Sequence, residues 1–338
     1  VLPENLFSVS NTGQRKLIPL RSNTKKERSS VKKALLAVLI VLTAAAGFAF
    51  AADMPEAMGI TYVKAPLNVP SIVAKYNQVF EKAYPGVRLS FPEITEGPKQ
   101  TAALAAEEIG IASCLGSTSA ILAASEGLDV KIIGIYSRAP KAFMIIVRDP
   151  AIKSVKDLKG KKVAGPKGTI LHQLLAAALD KEGMTVKDIE FIQMDLSSGA
   201  NALSTGSVDA ALLAGPAAYN ALTSGARMLK NGEGLVDATI VIATTEKFAQ
   251  KYPEAVSRFL KAHNDTLTWI KKNPDKAAEM TQKETRLPMD GVRMMMPWYD
   301  FDSKIRKSDI AELAKTQEFM IENGLQRNKI DVNSLIMR

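Results

Sequence analysis

A chain of 338 residues with 44 Lys and Arg against 35 Asp and Glu looks strongly basic, but eight of the basic and two of the acidic residues precede Ala52, and the 36 and 33 that remain nearly balance. No dense basic patch interleaved with aromatics is left, which argues against a nucleic-acid partner. The single cysteine, Cys114, rules out an internal disulfide, and its apolar surroundings, Gly110-Ile111-Ala112-Ser113-Cys114-Leu115, mark it as a buried small residue rather than a reactive thiol.

Residues 1–30 are polar, unpatterned and open without Met, and are expected to be a misassigned or disordered extension. Lys25-Lys26-Glu27-Arg28 and Lys32-Lys33 then precede an apolar run from Ala34 to Phe50 that exits through Ala49-Phe50-Ala51. Basic, apolar and A-x-A segments in that order predict a secretory signal peptide over 31–51, cleaved after Ala51. A membrane span needs about 20 apolar residues, and this run is shorter. No cysteine follows it to accept a lipid, so the mature protein is expected to be free in a bacterial periplasm, as a monomer. Its 287 residues, 338 less the first 51, exceed a comfortable single core and suggest two domains.

Beyond Ala52 short apolar runs alternate with helical segments. Ile60 to Val63 reads as a strand, Val69 to Ala83 as an amphipathic helix and Val87 to Phe91 as a strand. A helix from Pro98 to Glu107, a strand Ile109 to Ala112, a helix Ser117 to Glu126 and strands at Val130 to Tyr136 and Phe143 to Val147 follow. A second set opens with a helical turn ending at Gly160, then a strand Lys162 to Ala164 and a helix Ile170 to Lys181. It continues with a strand Ile189 to Met194, a short helix Gly199 to Ser204, a strand Ala210 to Ala214, a helix Ala217 to Thr223 and a strand Val236 to Ala243. From Pro253 the chain is mostly helical, broken at Asn273-Pro274 and Leu287-Pro288. Strands separated by helices of this length predict an α/β protein whose mainly parallel sheets are flanked by helices. The expected division is one lobe from 52–147 with 243–338, whose helical tail packs back on it, and a second lobe over 148–242.

The stretch Ser154-Val155-Lys156-Asp157-Leu158-Lys159-Gly160-Lys161-Lys162-Val163-Ala164-Gly165-Pro166-Lys167-Gly168-Thr169, with His172 just beyond, resembles the aliphatic-sulfonate, taurine and nitrate group of ABC-importer binding proteins. Gly206-Ser207-Val208-Asp209-Ala210, then Trp269-Ile270 with Asn273-Pro274-Asp275-Lys276-Ala277-Ala278, and finally Gly324-Leu325 with Ile330-Asp331-Val332 are similar to later phrases of that family in the same order. The resemblance implies the two-lobed periplasmic-binding-protein fold of type II, hinged by two crossover strands and closing on a ligand. It also implies as partners a small-molecule ligand and an importer permease with its cytoplasmic ATPase, no cofactor, and an aliphatic sulfonate as the first ligand to consider. A nitrate-like ion, a carboxylate or a neutral heterocycle stays open. The family often carries a Trp and an acidic residue where Ala214-Gly215-Pro216 stands here, so the pocket is expected to be roomier or differently lined.

Ligands of open α/β sheets bind at the carboxyl ends of the strands. Four loops there run into helices: Pro66-Leu67-Asn68, Gly97-Pro98, Gly116-Ser117-Thr118 and Gly168-Thr169. Their free amides suit an anion, and Asn68, Gly97, Ser117, Thr118, Gly168 and Thr169 are candidate contacts, with ordinary capping as the competing explanation for the side chains. Arg138 is the candidate guanidinium clamp, and Gly215, Pro216 and Tyr219 could line the second lobe's wall. His172 reads as packed or solvent-facing, and Trp298 and Tyr299 as tail packing. The chain carries no G-x-S-x-G, H-E-x-x-H or phosphate-loop lysine motif and only two histidines, so an enzyme is not expected. The alternatives from other classes are a membrane-anchored ligand sensor and a catalytic member of the same fold.

Overall fold

The computed structural model describes residues 54–65 and 67–337; the extension, the leader with its cleavage point, and Pro66 lie outside the described residues. The strands are β1 (Ala57–Gly59), β2 (Arg88–Ser90), β3 (Ala112–Gly116), β4 (Val130–Arg138), β5 (Phe143–Val147), β6 (Lys162–Gly165), β7 (Glu190–Gln193), β8 (Ala210–Ala214), β9 (Arg227–Asn231) and β10 (Thr239–Thr245). The helices of the first set are α1 (Val69–Tyr76), α2 (Val79–Ala83), α3 (Gly97–Ala105) and α4 (Ser117–Ser125). Those of the second set are α5 (Ile170–Asp180), α6 (Leu196–Thr205) and α7 (Gly215–Thr223). The tail holds α8 (Glu246–Lys251), α9 (Pro253–Lys272), α10 (Pro274–Thr285), α11 (Met289–Met295) and α12 (Lys307–Glu322). The expected helix from Val69 to Ala83 is two helices, because Gln78 takes a left-handed conformation with φ 52° between them.

The strands form two arrays of the same design. In the first, β1 and β2 pair in parallel, a parallel bridge from Ile60 to Ile111 leads to β3, and β10 lies antiparallel between β3 and β4. In the second, the order is β7-β6-β8-β5-β9, with β6 parallel to β7 and β8, and β5 antiparallel to β8 and β9. Each array thus has four strands running one way and one reversed strand, and the reversed strand is the one the chain supplies as it crosses between arrays.

That pairing shifts the expected boundaries. β5 belongs to the second array and β10 to the first, so the crossings are the short segments 139–142 and 232–238. Phe143 to Val147 is buried along its whole length and apolar on both faces. Such a run announces a central strand without saying of which sheet. The two crossings touch: the Gly232 amide donates to the Pro140 carbonyl at 3.0 Å, and a Cβ at position 232 would lie 2.7 Å from that oxygen, so only glycine permits the approach.

The helical tail packs on helices of the first array. α9 and α10 lie against α1, and α12 against α4. Phe259 of α9 is fully buried and stacks on Phe80 of α2 with ring centroids 4.9 Å apart. Among the described residues no helix is long and apolar enough to cross a membrane.

Candidate functional site

The carboxyl ends of the strands in both arrays face a shared cavity of about 940 Å³. Its floor is built by register. Ile240, second in β10, lies opposite Gly116, and Phe143 opens β5 opposite Ala214, so both crossing strands enter their sheets under the cavity. Val63, Glu93 and Ser119 contribute to one wall, and Pro166, Leu196 and Ala217 to the other.

Five helices start at these walls. The first turn of an α-helix leaves its N–H groups without intrahelical partners. Among the described residues, no side chain caps α3, α4, α5 or α7; only α6 is capped, by Asp195 accepting from the Ser198 amide at 2.8 Å. The local sequence explains why. Gly116 and Ala214 have no capping oxygen, and Thr169 turns its hydroxyl away, donating to the Pro166 carbonyl at 2.8 Å. Pro98 and Pro216 sit in the first turns of α3 and α7, where a missing N–H costs nothing. The wall amides and the positive ends of these helices therefore remain available to an anion or a neutral acceptor.

The charged side chains nearby are already committed. Lys64 pairs with Glu93 at 3.0 Å, and Lys99 with Glu96 at 2.6 Å. Its hydrogen bond to Glu96, reinforced by Asp195 across the cavity, raises the Lys99 pKa. The Asp195 carboxyl is held below its ordinary range, first by the Ser198 amide. No arginine is among the lining residues, which include Glu93, Glu96, Glu108 and Asp195. Recognition of an anion here falls on backbone amides.

Of the expected contacts, Gly97, Thr169 and Pro216 line the cavity. Gly97 also allows α3 to meet α4, since a Cβ there would lie 2.2 Å from Ser119 Oγ. The others sit elsewhere. Asn68 is fully buried behind the wall, donating to the Ala65 carbonyl and to Cys114 Sγ. Ser117 is buried and does not line the cavity. Thr118 donates to Gln173 Oε1 at 2.8 Å, and Gln173 Nε2 donates to Thr316 at 3.2 Å, so this hydroxyl joins α4 to α5 and α12. Gly168, at φ +70°, presents its carbonyl to the Ser119 hydroxyl at 2.8 Å. Gly215 begins α7 at φ +56° and is buried. Tyr219 packs on α11, where a Cβ at Gly291 would lie 2.7 Å from its ring.

Arg138 is not a clamp on this cavity. Its five N–H groups all have acceptors in the protein: Asp309 takes Nε and Nη2 at 2.6 Å each, and Asp300 with the Asp302 and Lys304 carbonyls takes the rest. His172 is packed, as expected. Its Nδ1 accepts the Gly168 amide at 3.2 Å, its ring stacks on Phe191 at 4.8 Å, and burial lowers its pKa to about 4, so it is neutral at pH 7.

Ser119, Ser197 and Asp195 were missed. Ser119 is the third residue of its helix and Asp195-Leu196-Ser197 precedes the expected start at Gly199. The Asp195–Ser198 cap is a local signal that would have moved that start three residues upstream, to Leu196.

Two sheet-and-helix arrays joined by two short crossings, with helix starts turned on a cavity between them, define the periplasmic-binding-protein fold, and solved relatives share it. The crystal structure of the periplasmic aliphatic sulphonate binding protein SsuA from Escherichia coli matches with a TM-score of 0.72 at 28% identity, over 84% of this chain and 93% of that one. The alkanesulfonate-binding protein SsuA from Xanthomonas axonopodis pv. citri bound to MOPS matches with a TM-score of 0.78 at 25% identity, over 85% and 100%. In sequence, the putative aliphatic sulfonates-binding protein of Escherichia coli (strain K12) is 30% identical over 91% of this chain and 96% of its own length. The NMT1/THI5 like family model matches residues 66–277, and the chain belongs to that family.

Proposed function

We propose that this protein is the extracytoplasmic solute-binding component of an ABC importer, and that it captures a small organic sulfonate by closing two lobes on it. The carrying observation is the cavity of about 940 Å³ with four uncapped helix starts on its walls and no committed ligand for their amides. The sulfonate oxygens would take those amides, while the Ser119 and Thr169 hydroxyls, which donate to the Gly168 and Pro166 carbonyls, hold the turn that presents them. Ile94, Leu196 and Ile240 give the cavity aliphatic wall for an alkyl chain. The names of the relatives point to the same ligand class. In this reading residues 54–142 with 239–337 form one lobe and 143–231 the other, the leader is removed after Ala51, and the monomer hands its ligand to a membrane permease.

Mass spectrometry of the denatured protein's extract, followed by calorimetric titration with alkanesulfonates, tests the reading. A co-purifying sulfonate, or saturable one-to-one binding accompanied by compaction in solution scattering, is expected. Failure of every alkanesulfonate to bind, with a different molecule recovered from the extract, would overturn the ligand class. Tight binding with an unchanged radius would overturn the closure.

A further inference from the structure

A second cavity, of about 370 Å³, lies inside the first array's side of the molecule, between β1 and helices α1, α2 and α9. Tyr62 lines it while the next residue, Val63, lines the large cavity, so one extended segment separates the two. Its walls are aromatic. Phe80 and Phe259 stack at 4.9 Å, Tyr136 lies 5.5 Å from His263, and Phe91 stands at the rim with 38% of its surface exposed.

Protein interiors are close-packed, with few voids larger than a water molecule. An apolar cavity of about 150 Å³ is enough to hold benzene, so this one has room for a substituted or fused ring. Most of its polar groups are satisfied internally. The Tyr136 hydroxyl bonds Ser71 at 2.8 Å, and the Ser113 hydroxyl donates to the Thr61 carbonyl at 2.6 Å. Near the rim Lys75 pairs with Glu284 at 2.7 Å, and Glu93 with Lys64 at 3.0 Å. The exception is His263. Its imidazole borders the cavity, is 97% buried, and its Nε2 has no hydrogen-bond partner. An orphaned buried polar atom is rare enough to require a reason. Burial also lowers the His263 pKa to about 4, so the ring is neutral at pH 7, with one N–H and one lone pair to offer.

We propose that this cavity is a second binding site, separate from the cleft, for a small uncharged aromatic molecule bearing a hydroxyl or N–H, of the size of phenol or indole. The stacked rings supply the contact surface, and the ligand's polar group supplies the hydrogen bond His263 lacks once a small turn of the ring brings its shielded Nε2 to the cavity wall. An anionic ligand is excluded, because the lining offers it no unpaired cation, only the carboxylate of Glu81 at the exposed edge, and burying a lone charge is costly.

The two histidines make the test direct, since His263 borders this cavity and His172 packs in the first turn of α5, behind the cleft wall. Protein labelled with ¹³C at histidine is titrated with p-cresol at neutral pH and followed by NMR. The expected result is a saturable shift of His263 while His172, at the helix start beside the cleft, stays still. Indole should give the same pattern. Toluene, which lacks the polar group, should bind about fivefold more weakly, and benzoate should not bind. Ser71→Leu places a larger side chain in the mouth and should weaken p-cresol roughly tenfold. A shift confined to His172, or none at either histidine up to the solubility limit, overturns the site. So does a folded Ser71→Leu protein that binds p-cresol as well as the parent does.

Discussion

Arg138 and the cleft are both rich in polar groups, yet they are opposites. Around Arg138 every donor meets an acceptor, and the carboxylate that takes two of them, Asp309, is almost wholly buried. Around the cleft, four helix starts leave first-turn amides without a side-chain cap, while the lysines at the rim are neutralised by their own neighbours. A saturated guanidinium holds structure together and has nothing left for a ligand. An uncapped helix start carries only partial charge, but that charge is unspent. The difference teaches that formal charge is a poor guide to an anion site, and that the place where hydrogen-bonding capacity remains over is a better one.

Acid should separate the two regions, and it carries the largest expected effect. His172 holds the Gly168 turn at the cleft wall, and His263 lies in the second cavity. Burial lowers both to about 4 from an ordinary 6.5. Between those values the unfolded chain binds the proton that the native protein refuses. Stability is therefore full above pH 6.5 and falls as pH drops toward 4, by on the order of 3 kcal/mol for each histidine. Asp309 behaves later: burial pushes its carboxyl up, but the Arg138 hydrogen bonds and the Arg306 amide outweigh that and hold it below 3.8. Its contribution is lost only as pH falls below that value. Urea unfolding at stepped pH should show the first loss above pH 4, and His172→Asn should remove about half of it, the rest belonging to His263. A flat profile from pH 7 to 4 would contradict the burial of both rings.

Breaking the Arg138 cluster comes next. Asp309→Ala removes two of the five acceptors of a half-buried guanidinium, leaving it Asp300 and two carbonyls, and should cost about 1.5–3 kcal/mol in chemical denaturation, with ligand affinity unchanged once the variant is folded. A selective loss of affinity at full stability would return Arg138 to the site.

The α4–α5 seam lies between the two extremes. Thr118, Gln173 and Thr316 are all buried, and Gln173 bridges the other two. Gln173→Leu leaves both hydroxyls unpaired, at about 1–3 kcal/mol. Because the seam joins the two proposed lobes without touching the cavity, that energy should appear as a roughly tenfold weaker apparent affinity through a smaller closed population. Scattering should show the unliganded variant expanded. Affinity unchanged with the same expansion would show that closure is not coupled to binding.

The smallest contrast is between neighbouring serines. Ser119→Ala removes the hydroxyl that holds the Gly168 carbonyl at the cavity wall, and by loosening that turn should weaken sulfonate binding by about tenfold. Ser117→Ala, two residues away, should change affinity by less than about twofold. Equal losses would mean that helix geometry rather than side-chain placement governs the wall.

The sequence alone determined the alternation of strands and helices, the two arrays and the family, because these are written in local periodicity and in phrases several residues long. It also located the helix starts at Gly97, Thr169 and Pro216, since a strand end followed by Gly, Pro or Thr and a helical pattern is a local signal. Tertiary structure alone decided the rest. β5 joined the second array because a strand buried on both faces carries no mark of its partners. Thr118 and Ser119 turned to different tasks because adjacent helical residues point about 100° apart, and one of those directions meets Gln173. Arg138 was taken out of the site by Asp309, 171 positions later in the chain. No spacing rule reaches that far, because the acceptor that saturates a donor is chosen by folding and not by sequence distance.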